Sequence, residues 1–230
     1  MKKKFILVLI LVLGVTMLTG CEKEEVEKNS KESAKAFKEE YESLNGKTNS
    51  SGKEHRSITV EEDNPYEKVT QKKIVEKIKN EDTFYLYVGD SLCPWCRSVL
   101  EKSIEVAKDK NVGKIYYIDI WDEEGNEILR DKYELKDGKA EKVSDGTKEY
   151  EKLLKYFDSV LSDYTLTDEE GNTVKTGEKR IYAPNFFYIE NGKVQNMITG
   201  ISEKQKDSRE ELTDEILEDE EKQFRNFFNN

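Results

Sequence analysis

The apolar positions of residues 57–120 alternate between strand-like runs and helix-like spacings. Ile58-Thr59-Val60 is a short strand candidate, and Asn64-Pro65 provides a helix cap followed by a proline in the first turn. Behind this start, apolar residues recur at helical spacing: Val69, Ile74, Val75 and Ile78. Phe84 to Val88 then predicts a second strand.

A second helix and a third strand complete this first half. The helix runs from Arg97 to Lys108, with one apolar face formed by Val99, Leu100, Ile104 and Ala107. Ile115 to Ile120 is apolar nearly throughout, which is typical of a central buried strand. Strands that alternate with helices predict a βαβ unit with parallel pairing, and hence an α/β fold.

Residues 122–180 are less regular, but they contain a strong amphipathic pattern from Glu149 to Tyr164. Its helical spacing is kept by Tyr150, Leu153, Leu154, Phe157, Val160, Leu161 and Tyr164. Tyr164-Thr165-Leu166 and Thr173-Val174 flank the polar residues 168–172, which predicts a hairpin.

The C-terminal part predicts another hairpin and a final helix. Asn191-Gly192 lies between the apolar runs 185–190 and 193–201, and this dipeptide is a strong hairpin signal. Ser208-Arg209-Glu210-Glu211 has the pattern of a capping box. The helix that it predicts carries Leu212, Ile216, Leu217, Phe224, Phe227 and Phe228 on or near one face.

Residues 1–20 have the build of a secretory signal, with three lysines followed by an apolar run from Phe5 to Leu18. The run ends in Leu18-Thr19-Gly20-Cys21, which resembles a bacterial lipobox. That resemblance implies cleavage before Cys21 and attachment of a diacylglycerol to its sulfur. The alternative is an uncleaved transmembrane anchor, although the run is short for a span of about 20 residues. Either way, we expect a domain outside the cytoplasm, held at the cell membrane.

Residues 21–56 are rich in Lys, Glu, Ser, Asn and Gly and predict a flexible charged tether. Within them, Phe37, Tyr41 and Leu44 have helical spacing, so the segment 33–44 is either a short helix or a disordered spacer. We expect one folded domain over residues 57–230.

The net charge of the chain limits the classes of partner that it can bind. The chain has a net charge of −11, and −14 without the three signal lysines, which argues against binding of nucleic acid. The single histidine, His55, is distant from the cysteine pair, and a zinc site needs about four ligands. We therefore expect no metal and no other cofactor.

The candidate chemistry lies at Cys93-Pro94-Trp95-Cys96, which follows a strand and opens a helix. This layout is typical of a thiol–disulfide redox site. The helix N-terminus stabilises a thiolate on Cys93, which should attack a substrate disulfide, and Cys96 should resolve the mixed disulfide. Pro94 occupies the first helical position, where proline fits best.

A static disulfide is the alternative for this pair. Outside the cytoplasm a permanent bridge is chemically natural, and the protein would then be a non-catalytic accessory or binding lipoprotein. Against this, a bridge that closes only two residues stabilises little by the loop-entropy argument. The redox site is therefore the preferred interpretation.

The order of elements, with Cys-x-x-Cys at the head of a helix and a proline before a late hairpin, resembles the thioredoxin fold. The resemblance implies a mixed sheet flanked by helices, and a cis-proline opposite the sulfurs at Ala183-Pro184. It also implies that Pro184 holds the substrate backbone, with Ala183, Pro94 and Trp95 lining the substrate site. Trp95 is either an apolar rim beside Cys93 or ordinary surface packing.

A closer resemblance is to the bacteriocin-transport-accessory type of thioredoxin-like protein of Gram-positive bacteria. It is carried by the residues 87–97 and 115–119, YVGDSLCPWCR and IYYID. A helix plus hairpin is inserted at about 130–180. This insertion either shapes substrate access or is an addition at the edge of the fold without a role in the site. The buried aspartate of the family aligns with Tyr87, and no proton acceptor for Cys96 is evident in its place.

The direction of electron flow stays open. Pro-Trp is neither the pair typical of reducing thioredoxins nor that of strong oxidases, so reductase, oxidase and isomerase are all retained. A reductase outside the membrane implies a membrane thiol carrier as partner, and we expect a monomer that acts on exported proteins or peptides. Arg97 is either an electrostatic helper or a solvated side chain.

Overall fold

A five-stranded mixed sheet lies at the centre of the computed structural model, which describes residues 30–121 and 129–229. The strands, in spatial order, are β1 (Tyr66–Lys68), β3 (Ile115–Asp119), β2 (Phe84–Gly89), β8 (Asn185–Glu190) and β9 (Lys193–Ile198). The first three are parallel to one another, whereas β8 is antiparallel to both β2 and β9. The predicted parallel βαβ unit is confirmed.

Helices cover both faces of the sheet. One face carries the helical residues 30–42, here α1, together with α3 (Pro94–Asp109) and α5 (Asp214–Phe227). The other face carries α2 (Gln71–Lys79) and α4 (Lys148–Phe157), which pack against each other. The chain therefore has a three-layer α/β architecture, with one apolar core on each side of the sheet.

Strand β2 shows why the central residues are apolar in succession. Tyr85 and Tyr87 point into the core under α3, whereas Leu86 and Val88 point into the core under α2. Because successive side chains of a strand point to opposite faces, a strand covered on both sides has no position left for a polar side chain.

Local sequence signals set the helix starts. Thr70 and Thr147 are the N-caps of α2 and α4, and their hydroxyls accept hydrogen bonds from the backbone N–H groups of Lys73 and Tyr150. The N-cap of α3 is Cys93, and Pro94 is its first helical residue. The motif therefore opens α3 as predicted.

The stretch between the third and the eighth strand differs from the expected helix-plus-hairpin insertion. It contains two hairpins in the described residues: β4 (Lys132–Lys136) with β5 (Lys139–Ser144), and β6 (Ser162–Thr167) with β7 (Thr173–Arg180). The hairpin β6–β7 was predicted, whereas β4–β5 was not, because only one of its positions is buried. Helix α4 belongs to the helical layer of the sheet, so the added elements are the two hairpins.

The predicted tether is wrong for residues 30–56. Phe37 and Tyr41 of α1 are 1% and 0% exposed and belong to the core under α3. His55, at the end of this stretch, is also buried. The folded domain therefore begins at or before residue 30 rather than at residue 57. The composition of α1 did not indicate a buried helix, because its few apolar residues are spaced among many charged ones.

Several predicted boundaries are also corrected. Residues 58–60 form no strand, and Asn64-Pro65 precedes strand β1 instead of a helix. The helix predicted over 149–164 ends at Phe157, followed by a 3-10 turn, Asp158–Val160, and then by β6. The capping-box pattern at 208–211 starts no helix, since α5 begins after its N-cap Thr213.

The hairpin β8–β9 is confirmed around Asn191-Gly192. Both turn residues have positive φ, 50° and 70°, which is the type I′ requirement that Asn-Gly fulfils. The signal peptide over residues 1–20 and the lipidation site Cys21 lie outside the described residues. Within the described residues, none of the helices is long and apolar enough to cross a membrane.

Candidate active site

The loop between β2 and α3 presents the cysteine pair at the end of the parallel strands. Asp90 shapes this loop: its carboxylate accepts a 2.7 Å hydrogen bond from the N–H of Leu92, and its carbonyl accepts a 3.2 Å bond from the N–H of Cys93. The sulfur of Cys93 in turn accepts a 3.4 Å hydrogen bond from the N–H of Cys96. The first sulfur therefore lies at the N-terminus of α3, where the helix dipole favours a thiolate.

The two cysteines, which are unbonded thiols, have different environments. Cys93 is half-buried, whereas Cys96 is fully buried. The pKa of Cys93 is lowered, mainly because the side chain of Cys96 hydrogen-bonds to it, with help from backbone N–H groups and against the effect of burial. Burial, followed by the neighbouring Cys93 sulfur, raises the pKa of Cys96 well above that of an ordinary thiol. The two thiols therefore differ both in exposure and in the direction of their pKa shifts.

The segment before β8 faces the first sulfur. The thiol of Cys93 donates a 3.5 Å hydrogen bond to the carbonyl of Ala183, and the Ala183-Pro184 bond is cis, as the family resemblance implied. Pro184 is buried, and the side chain of Asn185 accepts a 2.7 Å hydrogen bond from the N–H of Tyr182. The structure thus brings Cys93, Ala183 and Pro184 together across about 90 residues of sequence.

The rim of the site is apolar and partly open. Pro94 and Trp95 are half-buried, and Leu92 is exposed on 45% of its surface. Because these residues directly flank Cys93, the surface on this side of the sulfur is apolar. Trp95 has part of its surface packed against the protein and part exposed.

A buried tyrosine pair behind Cys96 was not predicted. The hydroxyl of Tyr87 lies 3.0 Å from the hydroxyl of Tyr41, and both tyrosines belong to the same core as Cys96. Both tyrosines are fully buried. The sequence signal was present in part, since Tyr87 lies on the strand that leads into the motif. Tyr41 carried no signal because it is 46 residues away in the assumed tether.

Arg97 is fully buried, so the interpretation of a solvated side chain is wrong. Its guanidinium donates hydrogen bonds to the carbonyls of Tyr41, Arg56 and Ser91, at 2.8, 2.7 and 3.2 Å, and to the side chain of Asn45 at 2.7 Å. All four acceptors are uncharged oxygens. Arg97 therefore ties the N-terminal segment to the loop that carries Cys93.

The same region offers no set of metal ligands. In the described ranges no group of three or more His, Cys, Asp or Glu side chains is close enough to hold a metal ion. Buried Asp90 lies near the cysteines, and burial raises its pKa. The site consists of two thiols, the carbonyl of Ala183 that faces Cys93, and the buried hydroxyls of Tyr41 and Tyr87.

Comparison with known proteins adds no relative. No model of a known protein family matches the chain, and no curated protein matches it either. The functional argument therefore rests on the geometry of the site.

Proposed function

We propose that this protein is a thiol–disulfide oxidoreductase that acts through Cys93 and Cys96 on exported proteins or peptides. The observation that carries the proposal is the asymmetry of the pair. Cys93 is partly accessible, has a lowered pKa and lies at the N-terminus of α3, whereas Cys96 is buried one turn further on. A thiolate that can reach a substrate, next to a protected second thiol, is the arrangement that disulfide exchange requires.

The chemistry balances without a cofactor. The Cys93 thiolate attacks one sulfur of a substrate disulfide, and a covalent Cys93–substrate disulfide forms while the other substrate sulfur leaves as a thiolate. Cys96 then attacks the sulfur of Cys93 and releases the second substrate thiol. The dithiol is oxidised, the substrate disulfide is reduced, and the reverse sequence would oxidise a substrate dithiol.

We further propose that the fold is thioredoxin-like, and that the chain is related to the bacteriocin-transport-accessory type. Support comes from the sheet order β1-β3-β2-β8-β9, from the cysteine pair at the start of α3, and from the contact of Cys93 with the carbonyl of Ala183, which precedes the cis Pro184. On this proposal Pro184 and the Ala183 carbonyl hold the substrate backbone, and Pro94 and Trp95 form the apolar side of the approach. The two added hairpins distinguish this chain from a minimal thioredoxin fold.

The proposed location is the extracytoplasmic face of the cell membrane, with a lipid on Cys21. Eight residues separate Cys21 from residue 30, and at full extension they reach at most about 28 Å. The domain would therefore work close to the membrane, where a membrane thiol carrier could exchange electrons with it.

Replacing Cys21 by Ala tests the proposed lipid anchor. This variant should be released from the membrane fraction, or its processing should be blocked. Unchanged lipid labelling of the variant would contradict the assignment of Cys21 as the lipidation site.

The reduction potential of the Cys93–Cys96 pair tests the proposed activity. The full chain with Cys21→Ala, which leaves only these two thiols, is equilibrated with glutathione buffers and its free thiols are counted. A potential of about −270 mV or lower would favour a reductase, and one of about −120 mV an oxidase. A pair that is never reduced in these buffers would overturn the proposal in favour of a structural disulfide.

A further inference from the structure

The segment that contains the cis-proline is short and directly follows one of the added hairpins. Strand β7 ends at Arg180 and β8 begins at Asn185, so only the residues 181–184 connect the β6–β7 hairpin to the central sheet. They include Ala183, whose carbonyl accepts the 3.5 Å hydrogen bond of the Cys93 thiol. On the proposed function, this carbonyl also holds the substrate backbone. The groups that fix this turn therefore decide where a substrate is held relative to the reactive sulfur.

Asn185 closes the turn from within. Its side chain is 3% exposed, and its Oδ1 accepts a 2.7 Å hydrogen bond from the N–H of Tyr182. Its Nδ2 donates a 3.2 Å hydrogen bond to the sulfur of Met197 on the neighbouring strand β9. One buried side chain thus spans the Ala183-Pro184 bond and ties the turn to the edge of the central sheet.

Tyr182 joins the same turn to the β6–β7 hairpin. Its hydroxyl donates a 3.1 Å hydrogen bond to the carbonyl of Asp163 and accepts a 3.4 Å hydrogen bond from the N–H of Thr165. The regular pairing of β6 with β7 is interrupted between these two residues of β6. The hydroxyl therefore binds backbone groups of the hairpin at the point where its own ladder is irregular.

The start of the turn is held by other elements. The N–H of Ile181 donates a 3.2 Å hydrogen bond to the hydroxyl of Tyr150 on α4. The guanidinium carbon of Arg180 lies 4.1 Å from the ring centroid of Tyr164 in β6 and 5.9 Å from that of Tyr182. The turn is thus fixed by α4 at its first residue and by the hairpin at its second.

We propose that Tyr182 is a positioning residue for disulfide exchange, and that its hydroxyl couples the β6–β7 hairpin to the turn that places the Ala183 carbonyl beside Cys93. The inference rests on the proposed function and gives this hairpin a role in holding the substrate. A polypeptide that binds the Ala183 carbonyl through its backbone depends on this placement. A small disulfide that contacts only the Cys93 sulfur does not.

The test compares a protein disulfide with a small one. The reduced chain with Cys21→Ala is mixed with an excess of insulin or of dithiobis-nitrobenzoate. Its oxidation by insulin is followed by acid quench and mass spectrometry, and its first reaction with dithiobis-nitrobenzoate by absorbance. For Tyr182→Phe, which keeps the ring, we expect the rate constant with insulin to fall about threefold, as the loss of one neutral hydrogen bond implies. The rate constant with dithiobis-nitrobenzoate should stay that of the parent.

Tyr156→Phe is the matched control, because Tyr156 is an exposed residue of α4 and its hydroxyl lies outside the turn. Both of its rate constants should stay those of the parent. Asn185→Ala loosens the turn from within, so it should also slow the reaction with insulin more than the reaction with the small disulfide. Thermal melts show whether each variant is folded.

The outcomes separate the two proposals. A parent protein that leaves the disulfides of insulin intact would refute the proposed function. A parent that reduces them, with the same ratio of the two rate constants in Tyr182→Phe as in the parent, would refute only the role of Tyr182. A change of this ratio in Tyr156→Phe as large as that in Tyr182→Phe would refute it as well.

Discussion

The guanidinium of Arg97 donates a 2.8 Å hydrogen bond to the backbone carbonyl of Tyr41, 56 residues earlier in the chain. Arg97 directly follows the second cysteine, so this bond joins the redox motif to the N-terminal segment. The same guanidinium also holds Arg56 and Ser91 by their carbonyls. One buried cation thus replaces several backbone donors that these irregular segments would otherwise need.

Replacing Arg97 by Met should destabilise the protein by about 3 kcal/mol, because one buried and three partly buried acceptors lose their donor. Chemical denaturation measures this loss. The matched control is Arg225→Met, since Arg225 forms exposed ion pairs with Asp109 and Glu221 and should cost less than about 1 kcal/mol. Equal losses in the two variants would contradict the anchoring role of Arg97.

The sequence was sufficient for those parts of the site that are local. The order of strand, loop, cysteine, proline and helix is encoded by Pro94 and the residues next to it in sequence. The turn at Asn191-Gly192 is encoded by two residues that readily adopt a positive φ. Tyr41 and Arg97 could not be predicted in the same way. Their burial depends on each other and on carbonyls supplied by remote segments, and no periodicity along the chain reports such a pairing.

The reactivity of Cys93 should rise with pH earlier than that of an ordinary thiol. Its pKa is lowered mainly by the side chain of Cys96, so the thiolate is already present at pH values where a free cysteine is protonated. Alkylation of the Cys21→Ala chain with iodoacetamide at a series of pH values measures the midpoint. Adding Cys96→Ala should raise that midpoint. A midpoint that is unchanged by this substitution would show that Cys96 is not the cause.

The two cysteines should fail in different ways when each is replaced by Ser. Without Cys93 the protein should not reduce a model disulfide, because buried Cys96 cannot reach it. Without Cys96 the first step should still occur, and the Cys93–substrate disulfide should accumulate because nothing resolves it. Mass spectrometry under non-reducing conditions distinguishes the two. Full activity of the Cys93→Ser variant would end the enzymatic hypothesis.

Gly89, at the end of β2, should tolerate no side chain. A Cβ there would overlap the Cζ and Oη atoms of Tyr87, whose ring is fixed by stacking. Gly89→Ala should therefore cost about 1–3 kcal/mol of stability and displace the Tyr87 hydroxyl. Gly113→Ala is the control, because a Cβ at that position meets no atom within 4 Å. Chemical denaturation measures the stability of both variants. Equal stability of Gly89→Ala and Gly113→Ala would mean that the Tyr87 ring can move aside.

Glu220 should make the protein less stable as the pH rises. It is fully buried on α5, neither carboxylate oxygen has a hydrogen-bond partner in the described residues, and burial raises its pKa to about 8, against the attraction of Arg56 and Lys102. Below pH 4.5, the ordinary value, the carboxyl is protonated in the folded and the unfolded chain alike. Between 4.5 and about 8 only the folded chain keeps the proton. Unfolding then releases this proton. The contribution of Glu220 to the free energy of unfolding therefore falls by up to about 1.4 kcal/mol per pH unit.

Glu220→Gln removes this charge and keeps the shape of the side chain. The variant should match the parent protein near pH 4.5 and become more stable than the parent as the pH approaches about 8, above which the difference should stay constant. Urea denaturation at a series of pH values measures the difference. The control is Glu218→Gln on the exposed side of the same helix, which should follow the parent at every pH. Parallel pH profiles for parent and Glu220→Gln would mean that the pKa of Glu220 is not raised in the folded protein, because the attraction of Arg56 and Lys102 offsets the cost of its burial.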